Sequence, residues 1–283
     1  MRSLKNSNNM RELVTAVSKE LAIARDEAEL VIATLMNRPR FELYMSDVLE
    51  DKEKDILWSK IVQLRKGVPI EYVTRRVQFR DHTLRIRPGV FIPRLETEYF
   101  AEIIPKMLTQ EPKRILEIGT GCGAISVALA RFFPHAEILA TDISQVALEN
   151  ARENIDELGL NAQISVIRCN MFGGLTGKFD LIISNPPYVP STRLHELPRS
   201  VREFEPLVAI DGGIGGLEFI KRIILSSREY LDDAGVVALE IDEESVEALK
   251  KFLGRGNIVS YAFCRDLFNK YRYLFTGAIN EES

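Results

Sequence analysis

Asn185, Pro186, Pro187 and Tyr188 form a tetrapeptide whose residue types can grip a planar nitrogen group that donates hydrogen bonds. Asparagine supplies a side-chain amide, the prolines supply main-chain carbonyls on residues without N–H donors, and tyrosine supplies an aromatic face. The apolar run Phe179-Asp180-Leu181-Ile182-Ile183-Ser184 precedes it and reads as a buried parallel strand, which the two prolines stop. Open α/β sheets bind ligands beyond the C-terminal ends of their strands, so the tetrapeptide stands where chemistry is expected. Residue types alone leave a base amino group and an amide equally open as its target.

A second set of residues lies upstream. Arg114-Ile115-Leu116-Glu117-Ile118 reads as a strand leading into Gly119-Thr120-Gly121-Cys122-Gly123, and a helical pattern follows. Glycines there let the backbone turn sharply and approach a ligand. The dinucleotide fingerprint needs two residues between its second and third glycines, and here the third glycine comes one residue early. Glu117 is a poor neighbour for a pyrophosphate and a good one for the ammonium of an amino acid. Asp142 ends the next strand about 20 residues on, where a carboxylate can accept both hydroxyls of a ribose. Asp142 could instead serve as a helix N-cap, with Ser144 beside it. Adenosine carrying an amino-acid tail fits the set, which makes S-adenosylmethionine the expected cofactor.

The elements that must position these residues follow from periodicity. Apolar spacing predicts helices over Met10–Ala24, from Asp26 to about Asn37, and from about Lys52 to Lys66. Asp26 with Glu29 reads as a capping box for the second, and Ile56, Ile61 and Leu64 read as the inward face of the third. Pro69 to Pro93 reads as short extended pieces, with Val77–Phe79 and Thr83–Arg87 forming a β-hairpin linker. After a helix near Glu96–Leu108, predicted strands at Arg114–Ile118, Glu137–Thr141, Gln163–Arg168, Phe179–Ser184 and Val236–Ile241 alternate with helices at Ala124–Phe132, Ser144–Leu158 and about Leu217–Leu231. Ile258–Cys264 and Tyr271–Phe275 close the chain as an antiparallel pair. The expected class is α/β, a doubly wound, mostly parallel sheet behind a small helical bundle. The expected domains are a helical one over 1–73, the hairpin linker over 74–92, and the catalytic one over 93–283.

Composition narrows the function classes. With 283 residues, two domains are the sensible expectation. The sequence carries no apolar run of membrane-spanning length and no signal-peptide pattern. Cys122, Cys169 and Cys264, and His82, His135 and His195, are too scattered for a zinc site or a disulfide framework, so no metal and a cytoplasmic location are expected. Residues 1–92 hold 17 Lys/Arg against 13 Asp/Glu and residues 93–283 hold 20 against 28, so the half bearing the motifs is acidic. That balance argues against a dedicated nucleic-acid binder. Arg65, Lys66, Arg75, Arg76, Arg80, Arg85 and Arg87 face only Glu71 and Asp81 in sequence, either as a solvated surface or as a docking strip.

Taken in order, Gly119–Gly123, Asp142 and the tetrapeptide resemble the class I S-adenosylmethionine-dependent methyltransferases, and more narrowly the release factor glutamine methyltransferases. Phe91-Ile92-Pro93-Arg94-Leu95-Glu96-Thr97-Glu98, Asn185–Pro190, Phe204-Glu205-Pro206 and Ala209–Gly213 with Gly216-Leu217 carry the narrower likeness, as does Gly67–Tyr72. The sequence departs from the family at Leu95, where proline is usual, at Arg75, where glycine is usual, and at Asn170, where an acid near the adenine is common. The resemblance implies a seven-stranded methyltransferase sheet, Asn170 and Met171 as further cofactor-lining residues, and Asn185 bordering cofactor and substrate alike. It implies peptide chain release factors as the protein substrate, methylated on the glutamine nitrogen of their Gly-Gly-Gln motif, with the helical domain helping to hold them.

An amide nitrogen is a poor nucleophile because its lone pair is delocalised into the carbonyl. Asn185 Oδ1 and the Pro186 carbonyl are expected to accept its two N–H bonds, with the Tyr188 ring packed on the amide plane. Positioning of this kind can supply roughly 7–11 kcal/mol of a barrier. The chemically nearest rival is methylation of an exocyclic amino group, such as adenine N6, on a flipped base. A non-enzymatic adaptor and a dinucleotide-dependent oxidoreductase are further alternatives, opposed by Glu117, Asp142 and Asn185 and by the glycine spacing.

Overall fold

The computed structural model describes residues 9–45 and 49–280, which divide into two compact units, Met1–Arg76 and Val77–Ser283. The first unit is helical: α1 (Met10–Leu21), α2 (Arg25–Met36), a 3-10 turn at Arg40–Tyr44, α3 (Asp51–Arg65) and α4 (Ile70–Thr74). Asn9 caps α1 by accepting the Glu12 N–H at 3.0 Å. Leu13, Val14 and Val17 of α1 meet Ala28, Ile32 and Leu35 of α2 and Leu57 and Ile61 of α3 in one core. Trp58 packs against that core.

Three expectations for this unit are corrected. The second helix is capped two residues earlier: the Ala24 N–H donates to Glu27, while Glu29 is taken by Arg40 and Tyr44 instead of closing a box with Asp26. Ile56 is exposed and Leu57 takes its place, while Ile61 is buried and Leu64 packs against the core as expected. Ile70–Thr74 is helical rather than extended, ended by Arg75 in the left-handed conformation.

β1 (Arg76–Phe79), whose first residue closes the first unit, forms a hairpin with β2 (His82–Arg85), and α5 (Leu95–Met107) follows. Then come β3 (Arg114–Ile118), α6 (Ala124–Phe132), β4 (Glu137–Asp142), α7 (Gln145–Glu157), β5 (Ile164–Arg168) and β6 (Phe179–Ser184). The chain continues through a short α8 (Arg199–Phe204), α9 (Glu218–Ser227), β7 (Leu231–Glu240), α10 (Val246–Arg255), β8 (Tyr261–Arg265) and β9 (Tyr271–Gly277). The seven large-sheet strands lie in the order β5-β4-β3-β6-β7-β9-β8, parallel except for β9, which runs antiparallel to both β7 and β8. This is the doubly wound sheet with a C-terminal antiparallel hairpin that the alternation of patterns implied. Helix α10, absent from the sequence reading, buries Val246, Leu249 and Leu253.

The order places a reversal between β3 and β6. The chain steps outward from β3 to β5, then returns to lay β6 against the other side of β3, with Ile118 opposite Ser184. The turns after these two strands part to opposite sides of the sheet and leave a crevice between them. The glycine loop follows one strand and Asn185-Pro186-Pro187-Tyr188 follows the other.

The hairpin is fastened to α7. The Arg85 and Arg87 N–H groups donate to Asn154 Oδ1 at 2.7 Å and Asn150 Oδ1 at 2.8 Å, both asparagines being buried. Arg85 pairs with Glu157, Arg87 with Glu149 and Glu153, and Arg80 with Glu102. This part of the basic strip is therefore neutralised within its own unit. Among the described residues no helix is long and apolar enough to cross a membrane, and no His, Cys, Asp or Glu cluster could hold a metal ion.

Candidate active site

A cavity of about 380 Å³ opens at the crevice. Glu117, the whole loop Gly119–Cys122, Asp142, Asn170, Met171 and the segment Asn185-Pro186-Pro187 all line it. One space thus collects both motif sets. Of the predicted site residues, Gly123 and Tyr188 do not reach it.

Gly119, Gly121 and Gly123 all hold positive φ, at 75°, 58° and 86°, which residues with a Cβ adopt only under strain. The Gly119 and Thr120 N–H groups both donate to Thr141 O at 2.8 Å, binding the loop to the end of β4. Gly123 is the N-cap of α6, where a Cβ would already touch Ala151 of α7. Its work is to start the helix. Asn154 Nδ2 donates to Cys122 O at 2.8 Å, so the residue that clamps the hairpin also fixes the loop. Burial pushes the Cys122 thiol up to about 12, which removes it as a nucleophile.

Glu117 is buried, and its Oε2 accepts from Thr120 Oγ1 at 2.8 Å, from the Ser126 N–H at 3.1 Å and from the Ser126 hydroxyl. Those bonds leave Oε1. Burial pushes its carboxyl up to about 7, against the pull of these donors, and the Asp142 charge adds to the rise. Asp142 accepts from the Gly121 N–H at 2.9 Å through Oδ2 and from the Ser144 N–H at 2.8 Å through Oδ1. Burial raises its carboxyl too. Ser144, not Asp142, caps α7 by accepting from Ala147 N. A buried carboxyl and a half-buried one flanking one cavity repel each other, and a bound cation would relieve both. The donor set thus fits a cationic amino-acid tail and a ribose.

Asn170 and Met171 follow β5, with Met171 held at φ 57° while the Cys169 thiol donates to its carbonyl at 3.1 Å. A left-handed non-glycine residue at a ligand-lining turn is a strain that the surrounding structure must over-determine.

On the other wall, Asn185 Nδ2 donates to Thr97 Oγ1 at 3.0 Å. Thr97 lies in the first turn of α5 and donates in turn to Glu240 Oε2 at 2.8 Å. The Tyr188 hydroxyl donates to Glu240 Oε1 at 3.1 Å, and its ring packs against the apolar core. A buried carboxylate thus claims the Tyr188 hydroxyl, and the ring lies outside the cavity lining. Backbone from Ile210 to Gly216 supports the turn: Val189 N donates to Ile210 O at 3.0 Å, and Gly212 N returns to Val189 O at 2.8 Å.

The sequence reading missed Thr97 and Glu240 as site residues, although Thr97 stands in the Phe91–Glu98 segment it singled out. It also left that segment unconnected to Phe204-Glu205-Pro206. Glu205 is buried, accepts from the Ile92 N–H at 3.1 Å and pairs with Arg94, whose guanidinium lies 4.8 Å from the Phe91 ring. The ion pair holds Phe91, Pro93 and Pro206 together on the cavity wall.

Comparison with known proteins agrees with this geometry. A family model described as the methyltransferase small domain matches residues 81–197. The release factor glutamine methyltransferase of Moorella thermoacetica is 35% identical over 230 residues, covering 80% of this chain and 81% of the relative. Its namesake from Dictyoglomus turgidum is 38% identical over 253 residues, 82% of this chain and 89% of the relative. Among solved structures, the hMettl16 catalytic domain, crystallised with the MAT2A 3'UTR hairpin 6, superposes with a TM-score of 0.57 at 18% identity over 83% of this chain and 85% of that one. A methyltransferase from Pyrococcus furiosus gives a TM-score of 0.52 at 22% identity, over 81% and 99%. These structural likenesses speak to the fold alone. Identity above 30% across four-fifths of the length speaks to descent, and on that ground the chain is an enzyme of the release factor glutamine methyltransferase family.

Proposed function

We propose that this protein methylates the side-chain nitrogen N5 of the glutamine in the Gly-Gly-Gln motif of peptide chain release factors, with S-adenosylmethionine as the methyl donor. One observation carries the reading: the carboxyls of Glu117 and Asp142 and the segment Asn185-Pro186-Pro187 line the same cavity. The names of the relatives supply the substrate class, and the acidic balance of residues 93–283 disfavours nucleic acid.

When bound, S-adenosylmethionine supplies a methyl group activated by a sulfonium. Glu117 holds the ammonium of its amino-acid tail, and Asp142 takes the ribose through the lone pairs that its backbone donors leave. Gly119, Thr120, Gly121 and Cys122 form the floor, Gly123 starts the helix behind it, and Asn170 and Met171 border the adenine. Asn185 borders the donor and, through Oδ1, accepts one N–H of the substrate glutamine. The Pro186 carbonyl accepts the other, and Pro187 adds no competing donor. With both hydrogens fixed, the nitrogen lone pair stands out of the amide plane toward the methyl group. No side chain at the tetrapeptide is poised as a general base, so the surplus proton leaves to water. Tyr188 anchors the turn through Glu240. The helical residues 1–73 help to hold the release factor, whose bulk lies outside any cavity of this size. These roles place the protein in translation termination, in the cytoplasm.

The test is mass spectrometry of a release factor digested after incubation with enzyme and cofactor. One added methyl on the Gly-Gly-Gln peptide is expected, and Asn185→Ala should slow its appearance ~100-fold while leaving cofactor affinity within about threefold. Labelled methyl entering DNA or RNA but not the release factor would sink the reading in favour of an exocyclic amino group as acceptor.

A further inference from the structure

An asparagine amide has two ends, and only its oxygen can accept from a substrate NH2. Something must therefore decide which end faces the cavity, because the two orientations have nearly the same shape. We infer that Thr97 and Glu240 are positioning residues that hold the Asn185 amide with its nitrogen turned away and its oxygen left for the substrate. The inference rests on the reading of Asn185 as the substrate grip.

Proton counting carries it. The Thr97 hydroxyl owns one hydrogen, and that hydrogen is committed to Glu240 Oε2 at 2.8 Å. Toward Asn185 it can then only accept, and Nδ2 meets it at 3.0 Å. Glu240 takes one donor on each oxygen, with Tyr188 on Oε1 at 3.1 Å, which suits an ionised carboxylate. Both carriers are rigidly placed: Thr97 is 3% exposed in the first turn of α5, and Glu240 is 1% exposed at the end of β7. Strand β7 pairs with β6 through Leu239 and Ser184, so Glu240 and Asn185 leave neighbouring strands at the same level.

Protonation of Glu240 would reverse the chain of donors. A carboxyl hydrogen pointed at Thr97 turns the threonine hydrogen toward Asn185, which must then offer Oδ1 and swing its NH2 into the cavity. An NH2 facing a substrate NH2 makes no hydrogen bond. The groups around Glu240 set where this happens. Burial pushes its carboxyl up to about 7, against the hydroxyls of Thr97 and Tyr188, while Glu96 in α5 adds to the rise and Arg272 in β9 opposes it. Tyr273, opposite Glu240 in the β7–β9 register, is itself held neutral by burial and by that carboxyl.

The experiment pairs kinetics at saturating cofactor with NMR of the Asn185 side-chain amide in the full-length enzyme. Thr97→Val should lower kcat for release factor methylation ~10–100-fold with cofactor affinity within about twofold, and Thr97→Ser should recover most of that loss. On an Asn185→Ala background, Thr97→Val should cost nothing further. In the wild type, kcat should fall as pH drops through about 7, the Asn185 amide signals moving over the same range, and Thr97→Val should abolish both responses. Unchanged kcat in Thr97→Val, or losses that multiply in the double variant, would overturn the relay while Asn185→Ala remained slow. Should Thr97→Val not fold, amide signals that stay fixed between pH 6 and pH 8 in the wild type overturn it equally. An active Asn185→Ala would instead overturn the functional reading beneath it.

Discussion

Glu117 owes its use to being uncomfortable. Burial pushes its carboxyl up to about 7, against the pull of two hydroxyls and one backbone N–H and with the help of a second carboxylate. A ligand ammonium would supply the missing charge, and the bound state then favours the ionised form. The sign follows. Below about 7 the free enzyme holds a proton on Glu117 that binding must expel, so S-adenosylmethionine affinity should drop by up to ~10-fold per pH unit as pH falls through that value. It should level off above 7 and decline again above about 8, where an α-amino group loses its own charge. Calorimetry in buffers of different ionisation enthalpy should record one proton released at pH 6. Glu117→Gln should bind ~10–100-fold more weakly at pH 7.5 and lose the acid limb; a limb that survives would place the titrating group elsewhere. Glu117 was legible in the sequence because it sits next to the loop it serves. Thr97 and Glu240 were not, since their bond spans 143 residues and becomes visible only when α5 and β7 meet.

The turn after β6 is kept in place by a second loop pressed against its backbone. A Cβ on Gly216 would lie 2.1 Å from Tyr188 O, and Gly216 holds φ at 70°, so alanine there meets both strain and collision. Gly215 has a similar φ of 66° with nothing within 4 Å, which isolates the strain alone. Gly215→Ala should cost about 1 kcal/mol. Gly216→Ala should cost ~2–5 kcal/mol, lower Tm by several degrees more than its neighbour, and reduce kcat by displacing Asn185. Equal losses in Tm and an unaffected kcat in both would mean that this loop does not position the tetrapeptide. Nothing in the local pattern of Ile210-Asp211-Gly212-Gly213 foretells this contact, because its partner is a backbone more than 20 residues away. Elements governed by local pattern were read well: β3, β6 and α6 fall on the residues that periodicity assigns. The misses share a cause. Asp26 and Glu29 satisfy the capping-box template, yet Arg40 and Tyr44 capture Glu29 from a distant turn, so a tertiary contact outbid a local one. Ile70–Thr74 forms one short helical turn with Pro69 as its N-cap and the left-handed Arg75 as its C-cap, a geometry that an extended reading of proline-bounded segments overlooks.

The cavity belongs to one of the two compact units. Every residue lining the cavity lies at Gly89 or beyond, within the unit that begins at Val77. The helical unit has its own core, built from α1, α2 and α3, and among the described residues none of it lines that cavity. On the proposed function, its part is to recognise a large substrate rather than to handle the methyl donor. The basic strip expected from the sequence offers little help there from Arg80, Arg85 and Arg87, whose charges are spent on Glu102, Glu157, Glu149 and Glu153. Exposed ion pairs of this kind are weak, but they lower the field available to a partner. A protein comprising residues 77–283 should accordingly bind S-adenosylmethionine within about threefold of the full chain, because no lining residue is lost. Its kcat/KM for an intact release factor should fall by ~10–100-fold, since binding energy from remote parts of a substrate is what holds the reacting group in place. A short Gly-Gly-Gln peptide makes no such remote contacts, so the two proteins should methylate it at similar rates. Steady-state kinetics on both substrates separates the cases: an intact release factor methylated equally well by both proteins would deny residues 1–76 any part in recognition, whereas a peptide lost along with it would mean that the catalytic unit needs the helices in order to fold.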